Sequence, residues 1–185
     1  VGIGTSSPIS KLHVFKSSGN QLQLQCDNTG TVTIDMGGTT TPAKGGISFS
    51  DNIGSLFLRT NSTTQATIDS SGNLGLGVTP SAWGTGGSLK AMQITGFGAA
   101  LSSYGGGNTW SDLTHNAWFD GTSWKYTTSS VGATRYEMTG ANGGSTHAWY
   151  VSAGGTAGTT ISSFTQAMTL DASGNLVVGS TSANS

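Results

Sequence analysis

Residues 67–77 of the chain, TIDSSGNLGLG, return as residues 169–179, TLDASGNLVVG. The two copies lie 102 positions apart (169 minus 67). Each begins as a short strand, passes through a Ser-Gly-Asn turn whose glycine and asparagine tolerate positive φ, and resumes as a second short strand. A repeat of this kind indicates supersecondary units that stack on their neighbours. We therefore expect a stacked β architecture.

The chain also opens inside a partial third copy of the repeat. Residues 1–4, VGIG, match residues 74–77, LGLG, and Pro8 corresponds to Pro80. A start in the middle of a repeat predicts that further repeats precede residue 1.

Glycines alternate with apolar residues in the second strand of two of the copies. Glycine weakens a strand unless another backbone approaches it closely, and three chains that meet at a common axis would supply that crowding. Four glycines are therefore expected to lie at a trimer axis: Gly2, Gly4, Gly75 and Gly77.

The composition indicates an ordered chain with too few apolar residues for an ordinary monomeric core. Hydrophobic residues make up 34% and charged residues 8% of the sequence, against about 45–50% and 25% in average globular chains. The net charge of -1 and the five Trp, four Tyr and six Phe argue against disorder. Because apolar burial drives folding, such a chain gains from association with identical copies, which favours cyclic symmetry.

Several classes of protein are disfavoured by the same residues. The seven Lys and Arg form no basic stripe, which argues against nucleic-acid binding. No run of 18 apolar residues predicts a membrane span, and no signal peptide is visible. Cys26 is the single cysteine, so an intrachain disulfide is excluded.

Alternating apolar and polar residues predict an all-β fold with no helix longer than two turns. Two hairpins are expected, with turns at Asp27–Gly30 and Asp51–Gly54. Their strands are predicted at Gln21–Cys26, Thr31–Met36, Ile47–Phe49 and Leu56–Leu58.

We expect three segments along the chain. Residues 1–82 are predicted to form shaft repeats with short β-hairpins. Residues 83–165, which hold all five tryptophans, are predicted to form a thicker aromatic β-module. Residues 166–185 are predicted to form a terminal shaft repeat.

Asp120-Gly121 predicts a two-residue hairpin turn, because a type I′ turn needs positive φ at both positions. Phe119 would then pair with Thr122, and Ala117 with Trp124. Side chains alternate across the ribbon, and a four-residue loop would keep the same alternation. One face, expected to be core, carries His115, Ala117, Phe119, Trp124 and Tyr126; the other carries Asn116, Trp118 and Lys125.

The second face of this hairpin is the candidate receptor-binding site. A single indole at Trp118, beside the Asn116 amide and the Lys125 ammonium, is suited to stacking on a sugar ring and to interfaces. The alternative is that Trp118 packs against a neighbouring subunit, with the Lys125 stem lying over it. The sequence leaves both open.

The residues of catalysis and metal binding do not converge. Glu137 is the sole glutamate, and most aspartates adjoin Gly, Asn or Ser in predicted turns. His13, His115 and His147 are isolated, so we expect no metal site within one chain and no cofactor. A carboxylate pair formed across subunits is left open, but the chain is predicted not to be an enzyme.

The combined motifs resemble those of bacteriophage tail fibre proteins, and the resemblance covers most of the chain. The motifs that carry it are the repeat at 69–77, residues 1–8 with 11–14, residues 115–126, residues 133–137, and residues 155–158 with 164–171. The resemblance implies intertwined homotrimers, of the triple-stranded β-helix or β-prism kind, in an extracellular tail fibre of the virion. It also implies upstream fibre or tail proteins and a host polysaccharide or outer-membrane receptor as partners.

Many members of this family continue from such a repeat into an intramolecular chaperone domain of the endosialidase type, which cleaves itself off after a serine. The resemblance therefore implies that Ser185 is a processed C-terminus.

Three other functions compete with this interpretation. A capsule-degrading tailspike would need a converging acidic pair in a groove. A trimeric bacterial surface adhesin would normally carry heptad stalks and a membrane anchor. An ice-binding solenoid would need regular rows of threonine, whereas Thr39–Thr41 and Thr31–Thr33 are scattered.

Overall fold

The computed structural model describes residues 2–3, 6–7, 13–14, 24–27, 29–37, 44–84, 88–106, 109–141 and 144–179. These residues contain sixteen strands and no helix, so none of them belongs to a helix that could cross a membrane. The strands are β1 (Gly2–Ile3), β2 (His13–Val14), β3 (Thr31–Met36), β4 (Gly45–Ser50), β5 (Ser55–Thr60), β6 (Thr63–Ile68), β7 (Leu74–Leu76), β8 (Leu89–Ile94), β9 (Ala99–Tyr104), β10 (Thr109–His115), β11 (Ala117–Phe119), β12 (Trp124–Tyr126), β13 (Ala133–Ala141), β14 (Gly144–Ser152), β15 (Thr165–Leu170) and β16 (Leu176–Val178). The all-β prediction is confirmed for the described residues.

Twelve of the strands form one open sheet, in the order β16-β15-β14-β13-β10-β9-β8-β7-β6-β5-β4-β3. Neighbouring strands are antiparallel except β7 and β8, which are parallel. Two further pairs stand apart, the parallel pair β1–β2 and the antiparallel hairpin β11–β12. The large sheet contains strands from all three predicted segments, and the division at residues 82 and 165 stays a prediction.

The two full repeats fold in the same way. In the first, the Asp69 carboxylate accepts hydrogen bonds from the backbone of Ser71 and Asn73 at 2.9 and 2.8 Å. Asp171 accepts the same bonds from Ser173 and Asn175 at 2.9 and 2.8 Å. The turn glycines, Gly72 and Gly174, have φ of 80° and 85°. The predicted hairpin is thus confirmed, with glycine rather than asparagine at positive φ.

The other predicted strands are confirmed in part. Thr31–Met36 is β3, and the turn at Asp51–Gly54 joins β4 to β5. The Gly30 N–H donates to the Asp27 carbonyl at 3.0 Å, as a turn there requires. Residues 24–26 are not in a strand, and β3 pairs with β4 instead. The prediction of a strand that pairs with β3 is therefore wrong at residues 24–26, and residues 21–23 lie outside the described part of the chain.

Candidate functional site

The two faces of the large sheet differ in what covers them. On one, the covered face, segments of the chain itself lie over the strands, above all the β11–β12 hairpin and the loop that carries Trp83. On the other, the open face, no described strand or hairpin lies over the sheet; residues 24–26 line a pocket with Val32 and Phe49 near the β3 edge. Each of the twelve strands of the large sheet places apolar side chains on this open face.

A continuous row of apolar residues crosses the open face from edge to edge. Each member is the register partner of the next, so the side chains of neighbouring strands lie side by side. This central row consists, in the order of the sheet, of Val32, Phe49, Leu56, Ile68, Leu74, Met92, Leu101, Leu113, Tyr136, Trp149, Met168 and Val178.

None of the twelve side chains in the central row is buried. Leu101 is 44% exposed, Leu113 53% and Val178 71%. A second, shorter row runs beside it from β3 to β9: Ile34, Ile47, Leu58, Ala66, Leu76, Ile94 and Ala99. Contiguous exposed apolar surface of this extent marks an interaction surface.

The covered face buries both hydrophobic clusters, one around Trp83 and one around Tyr126, together with several polar side chains. Its fully buried positions include Gln93, Ser102 and Asp112, which point away from the central row. The Gln93 side-chain oxygen accepts hydrogen bonds from the Trp83 indole at 3.2 Å and the Ser81 backbone at 2.9 Å.

The β11–β12 hairpin has a four-residue loop instead of the predicted two-residue turn. Ala117 pairs with Tyr126, and Phe119 pairs with Trp124. The alternation holds, so the predicted core face is confirmed for these four residues, which pack into the two small cores. His115 was predicted on that face, but it is exposed at the end of β10.

Asn116 does not lie on the receptor-binding surface predicted for it. Its φ is 55°, and the side chain is fully buried. The amide nitrogen donates to the carbonyls of Thr128 and Val131 at 3.2 and 2.7 Å, and the amide oxygen accepts from the Thr128 N–H at 2.6 Å. Asn116 therefore joins the β10–β11 junction to the loop between β12 and β13, because it satisfies backbone groups that would otherwise be buried without partners.

Trp118 and Lys125 are register partners and both are half-buried. The Trp118 ring packs against the core that includes Trp83. The Lys125 ammonium lies 3.3 Å from the Asp120 carboxylate and donates to the Thr160 hydroxyl at 2.8 Å. Both side chains therefore belong to the outer layer of the covered face.

The Arg135 guanidinium contacts three aromatic rings on the covered face. Its guanidinium carbon lies 4.6, 5.0 and 5.7 Å from the ring centres of Tyr150, Trp124 and Phe164. These are distances at which a cation is attracted by an aromatic ring. The guanidinium also forms an ion pair with the Glu137 carboxylate.

Asp112 faces Glu137 across β10 and β13, and it is fully buried. Its Oδ1 lies 3.0 Å from the Arg135 Nε. Burial raises the pKa of Asp112 from 3.8 to about 7, and the Arg135 charge opposes that rise only partly. Asp112 is enclosed, and Arg135 contacts both carboxylates.

No group of three or more His, Cys, Asp or Glu residues in the described part of the chain could hold a metal ion. His147 stacks on Tyr136 with ring centres 5.9 Å apart. The exposed Cys26 has no disulfide partner.

The glycines predicted at a trimer axis have local roles in the structure. A Cβ at Gly75 would lie 2.1 Å from the Val78 carbonyl oxygen, so the close backbone belongs to the same chain. Gly75 also pairs with Gln93 and points to the covered face. Gly77 has φ of 66° with open space around it, so it needs glycine for its conformation.

Of the three remaining predicted site residues, the structure describes one. Gly2 lies in β1, opposite His13. Gly4 and Ser185 lie outside the described residues. The axis and processing roles of these residues stay predictions.

Comparison of the chain with protein-family models, with curated proteins and with solved structures found no match in any of the three.

Proposed function

We propose that this chain is a structural, non-enzymatic segment of a bacteriophage tail fibre, which assembles as a homotrimer through the open face of its sheet and contributes to adhesion to the host surface. The observation that carries the proposal is the unbroken central row. Twelve apolar side chains in register, none of them buried, form a surface over which no described strand lies. Two further copies of the same surface would complete it.

The direction of the row supports a fibre. Neighbouring strands are about 4.8 Å apart, so twelve strands extend over roughly 53 Å at right angles to the strand direction. Three copies related by a threefold axis parallel to the row would place three rows along that axis. The result is a β-prism, whose length grows with the number of stacked strands.

The difference in what covers the two faces supports the same arrangement. With the open face at the axis, the covered face and its hairpin become the outside of the fibre. Lys125, Asp120, Thr160 and the edge of Trp118 then lie on the outer surface, where a host polysaccharide can reach them. We assign the adhesive contact to Trp118 and Lys125, and Asn116 only supports the hairpin from beneath.

Adhesion is tested with the fluorescently labelled chain on a panel of encapsulated and non-encapsulated bacteria, by flow cytometry. Lys125→Ala is expected to lower the bound signal several-fold on the susceptible strains while the native mass stays unchanged. The matched control is Lys44→Ala, since Lys44 is also an exposed lysine but precedes β4, near the β3 end of the sheet. Equal binding by the two variants on every strain would contradict the assignment of the contact to the hairpin.

The burial of Asp112 supports the non-enzymatic part of the proposal. A glycosidase of the usual kind needs both carboxyl groups open to the sugar, whereas here Asp112 is enclosed and Glu137 is bound to Arg135.

A further inference from the structure

The β11–β12 hairpin lies across β10 without being part of the large sheet. Among the described strands, its two members pair only with each other, and β11 contacts both β9 and β13, the strands that flank β10. The Trp110 ring of β10 lies 5.8 Å from the ring centres of both Phe119 and Trp124. On its outer edge, β12 bonds to residues 159–161, in the loop between β14 and β15. Side-chain packing, and not a ladder of backbone hydrogen bonds, therefore holds the hairpin on the sheet.

The two ends of the hairpin are attached differently. At its base, Asn116 has φ of 55° and its buried side chain bonds the loop between β12 and β13. At its tip, the backbone of residues 120–123 bonds to the Asp120 carboxylate within the same loop. One backbone bond near the tip, from the Gly84 N–H to the Phe119 carbonyl at 2.9 Å, joins it to the segment before β8. The base is thus clamped while the tip has few attachments, as a hinged element requires.

The hairpin encloses the carboxyl group of Asp112. This residue lies two positions after Trp110, so both point to the same face of β10, and Asp112 is fully buried. Neither carboxyl oxygen has a hydrogen-bond partner within the described part of the chain; the Arg135 Nε is 3.0 Å from Oδ1, but its N–H is not aligned with it. The hydroxyl of Ser102, the register partner of Asp112 on β9, is also buried and unpaired. A charged carboxylate is costly in such surroundings, whereas a protonated one is much less so.

The charges beneath the hairpin balance only while Asp112 is protonated. The charged and titratable groups around this carboxyl are Arg135 and Glu137 on β13, Tyr104 on β9, Tyr150 on β14, and the Asp120–Lys125 ion pair on the outer side of the hairpin. Among the described residues, only Arg135 places a cation beside Asp112, and it already forms an ion pair with Glu137. Burial raises the pKa of Asp112 to about 7 despite that cation. Loss of the proton leaves two carboxylates and one guanidinium in a site closed to water.

We propose that the β11–β12 hairpin is a lid that pivots at Asn116, stays closed while Asp112 carries its proton, and lifts when that proton leaves. Lifting the lid admits water to the second carboxylate, which Arg135 cannot neutralise while it is bound to Glu137. The movement breaks no strand pair of the large sheet, so the sheet stays intact. The closed form predominates at acidic pH and the open form at alkaline pH.

The lid carries the side chains to which the adhesive contact is assigned. Trp118 packs against the core that includes Trp83 only while the lid is closed, and Lys125 bonds to Thr160 beside it. The protonation of Asp112 therefore regulates the adhesive site, a consequence that rests on the proposed function, whereas the movement itself does not. Adhesion is expected to be strongest below about pH 7 and to decline above it.

Hydrogen–deuterium exchange of the full chain, read from peptides that cover residues 117–126, measures the opening of the lid. The rates are corrected for the pH dependence of exchange in unstructured peptides. From pH 6 to pH 8 the corrected exchange is expected to rise about tenfold, because proton release from the enclosed carboxyl favours the open form. Residues 45–60, which form β4 and β5, are the internal control and are expected to show no such rise. An equal rise in both segments would mean that the whole fold loosens, and would contradict a lid.

Two variants identify the group that controls the lid. Asp112→Asn keeps the shape of the protonated carboxyl and does not titrate, so residues 117–126 should exchange equally at both pH values. Glu137→Gln removes the competing carboxylate and leaves Arg135 to neutralise Asp112, so the rise should be smaller than in the unaltered chain. A full rise that persists in both variants would overturn the proposal, and so would the absence of any rise in the unaltered chain.

Binding of the labelled chain to the bacterial panel is measured at the same two pH values. The bound signal is expected to fall several-fold at pH 8 for the unaltered chain and to stay constant for Asp112→Asn. Exchange that changes with pH while no strain binds at either pH would contradict only the proposed function. Binding without a pH-dependent exchange of residues 117–126 would contradict only this inference.

Discussion

Leu101 and Leu113 face each other across β9 and β10 on the open face of the sheet, and each leaves about half of its side chain in solvent. Directly behind them, on the covered face, the chain buries the polar side chains of Ser102 and Asp112. Leucines that stay in solvent contribute little of the hydrophobic stabilisation that their burial would give. The arrangement becomes favourable once identical copies cover the leucines.

A charge at the centre of the row is expected to prevent assembly. In the proposed trimer, Leu113→Asp places three carboxylates near one another in an apolar environment, where each buried, unpaired charge costs several kcal/mol. Sedimentation velocity is expected to show loss of the trimer.

The control for this change is Thr122→Asp, which adds the same charge at an exposed position in the hairpin loop. It is expected to leave the trimer intact. A Leu113→Asp chain that remains trimeric would mean that the open face is not the assembly surface.

The stability of the fold is expected to fall as the pH rises through about 7, because of Asp112. Its folded-state pKa is raised from 3.8 to about 7, so the folded chain binds this proton more tightly than the unfolded chain does. The contribution is fully present below about pH 3.8 and is lost as the pH rises through about 7. The charged groups that face this carboxyl are Arg135 and Glu137, both on β13.

Asp112→Asn tests that assignment, since asparagine has the shape of the protonated carboxyl and does not titrate. Urea unfolding at pH 5 and pH 8 is expected to show a smaller loss of stability for this variant than for the unaltered chain, by on the order of 1.4 kcal/mol for each pKa unit removed. Equal losses in the two chains would rule out Asp112 as the cause.

The contributions of Asp120 and Asp171 to stability are expected to have the opposite pH dependence to that of Asp112. Backbone N–H groups of Ser123 and Thr122 lower the pKa of Asp120, and the Asn175 N–H does so for Asp171. Their contribution is present above the unfolded-state pKa and is lost as the pH falls through the lower, folded-state value. Asp120→Asn should therefore reduce the loss of unfolding free energy at acidic pH. The loss near pH 7, which is assigned to Asp112, should stay the same.

The two repeats provide a matched pair of substitutions. Asn73→Ala removes a buried side chain that accepts the Ala91 N–H, and it is expected to destabilise the fold by about 1–3 kcal/mol. Asn175→Ala removes an exposed side chain from the same kind of turn and is expected to cost clearly less. Urea unfolding of both variants measures how much unfolding free energy each one loses. Equal losses would show that the bonds within the turn, and not the bond from Ala91, account for the stabilisation.

Gly75 and Gly77 are expected to respond differently to alanine. The new Cβ at Gly75 would meet the backbone of Val78 and Pro80, which cannot move without opening the turn. At Gly77 the space is free, and the cost is that of a positive φ, about 1 kcal/mol. Thermal unfolding should give Gly75→Ala a lower melting temperature than Gly77→Ala. The reverse order would contradict the close approach of the Val78 and Pro80 backbone to Gly75.

Much of the local structure could be predicted from the sequence, because turns and alternation are short-range properties. The Asp51–Gly54 turn and the Asp-x-Ser-Gly-Asn turn of the repeat determine which strands pair as hairpins. The core face of the β11–β12 hairpin followed from alternation alone, although the loop is two residues longer than predicted.

The errors arise where the chain departs from a local pattern. Asn116 was assigned to a surface by extending the alternation through a residue whose positive φ breaks it. The central row was missed because each strand reveals only its own alternation. Which strands become neighbours, and in which register, depends on long-range pairing such as that of Leu113 with Tyr136.

The central claim is that the open face is the interior of a homotrimer, and the native mass of residues 1–185, measured by light scattering coupled to size exclusion, tests it most directly. The account predicts a species of about 55.8 kDa (three times 18.6 kDa) that persists on dilution. A well-folded monomer of 18.6 kDa would contradict it, because the central row, of which five side chains are exposed and seven half-buried, would then stay in contact with solvent.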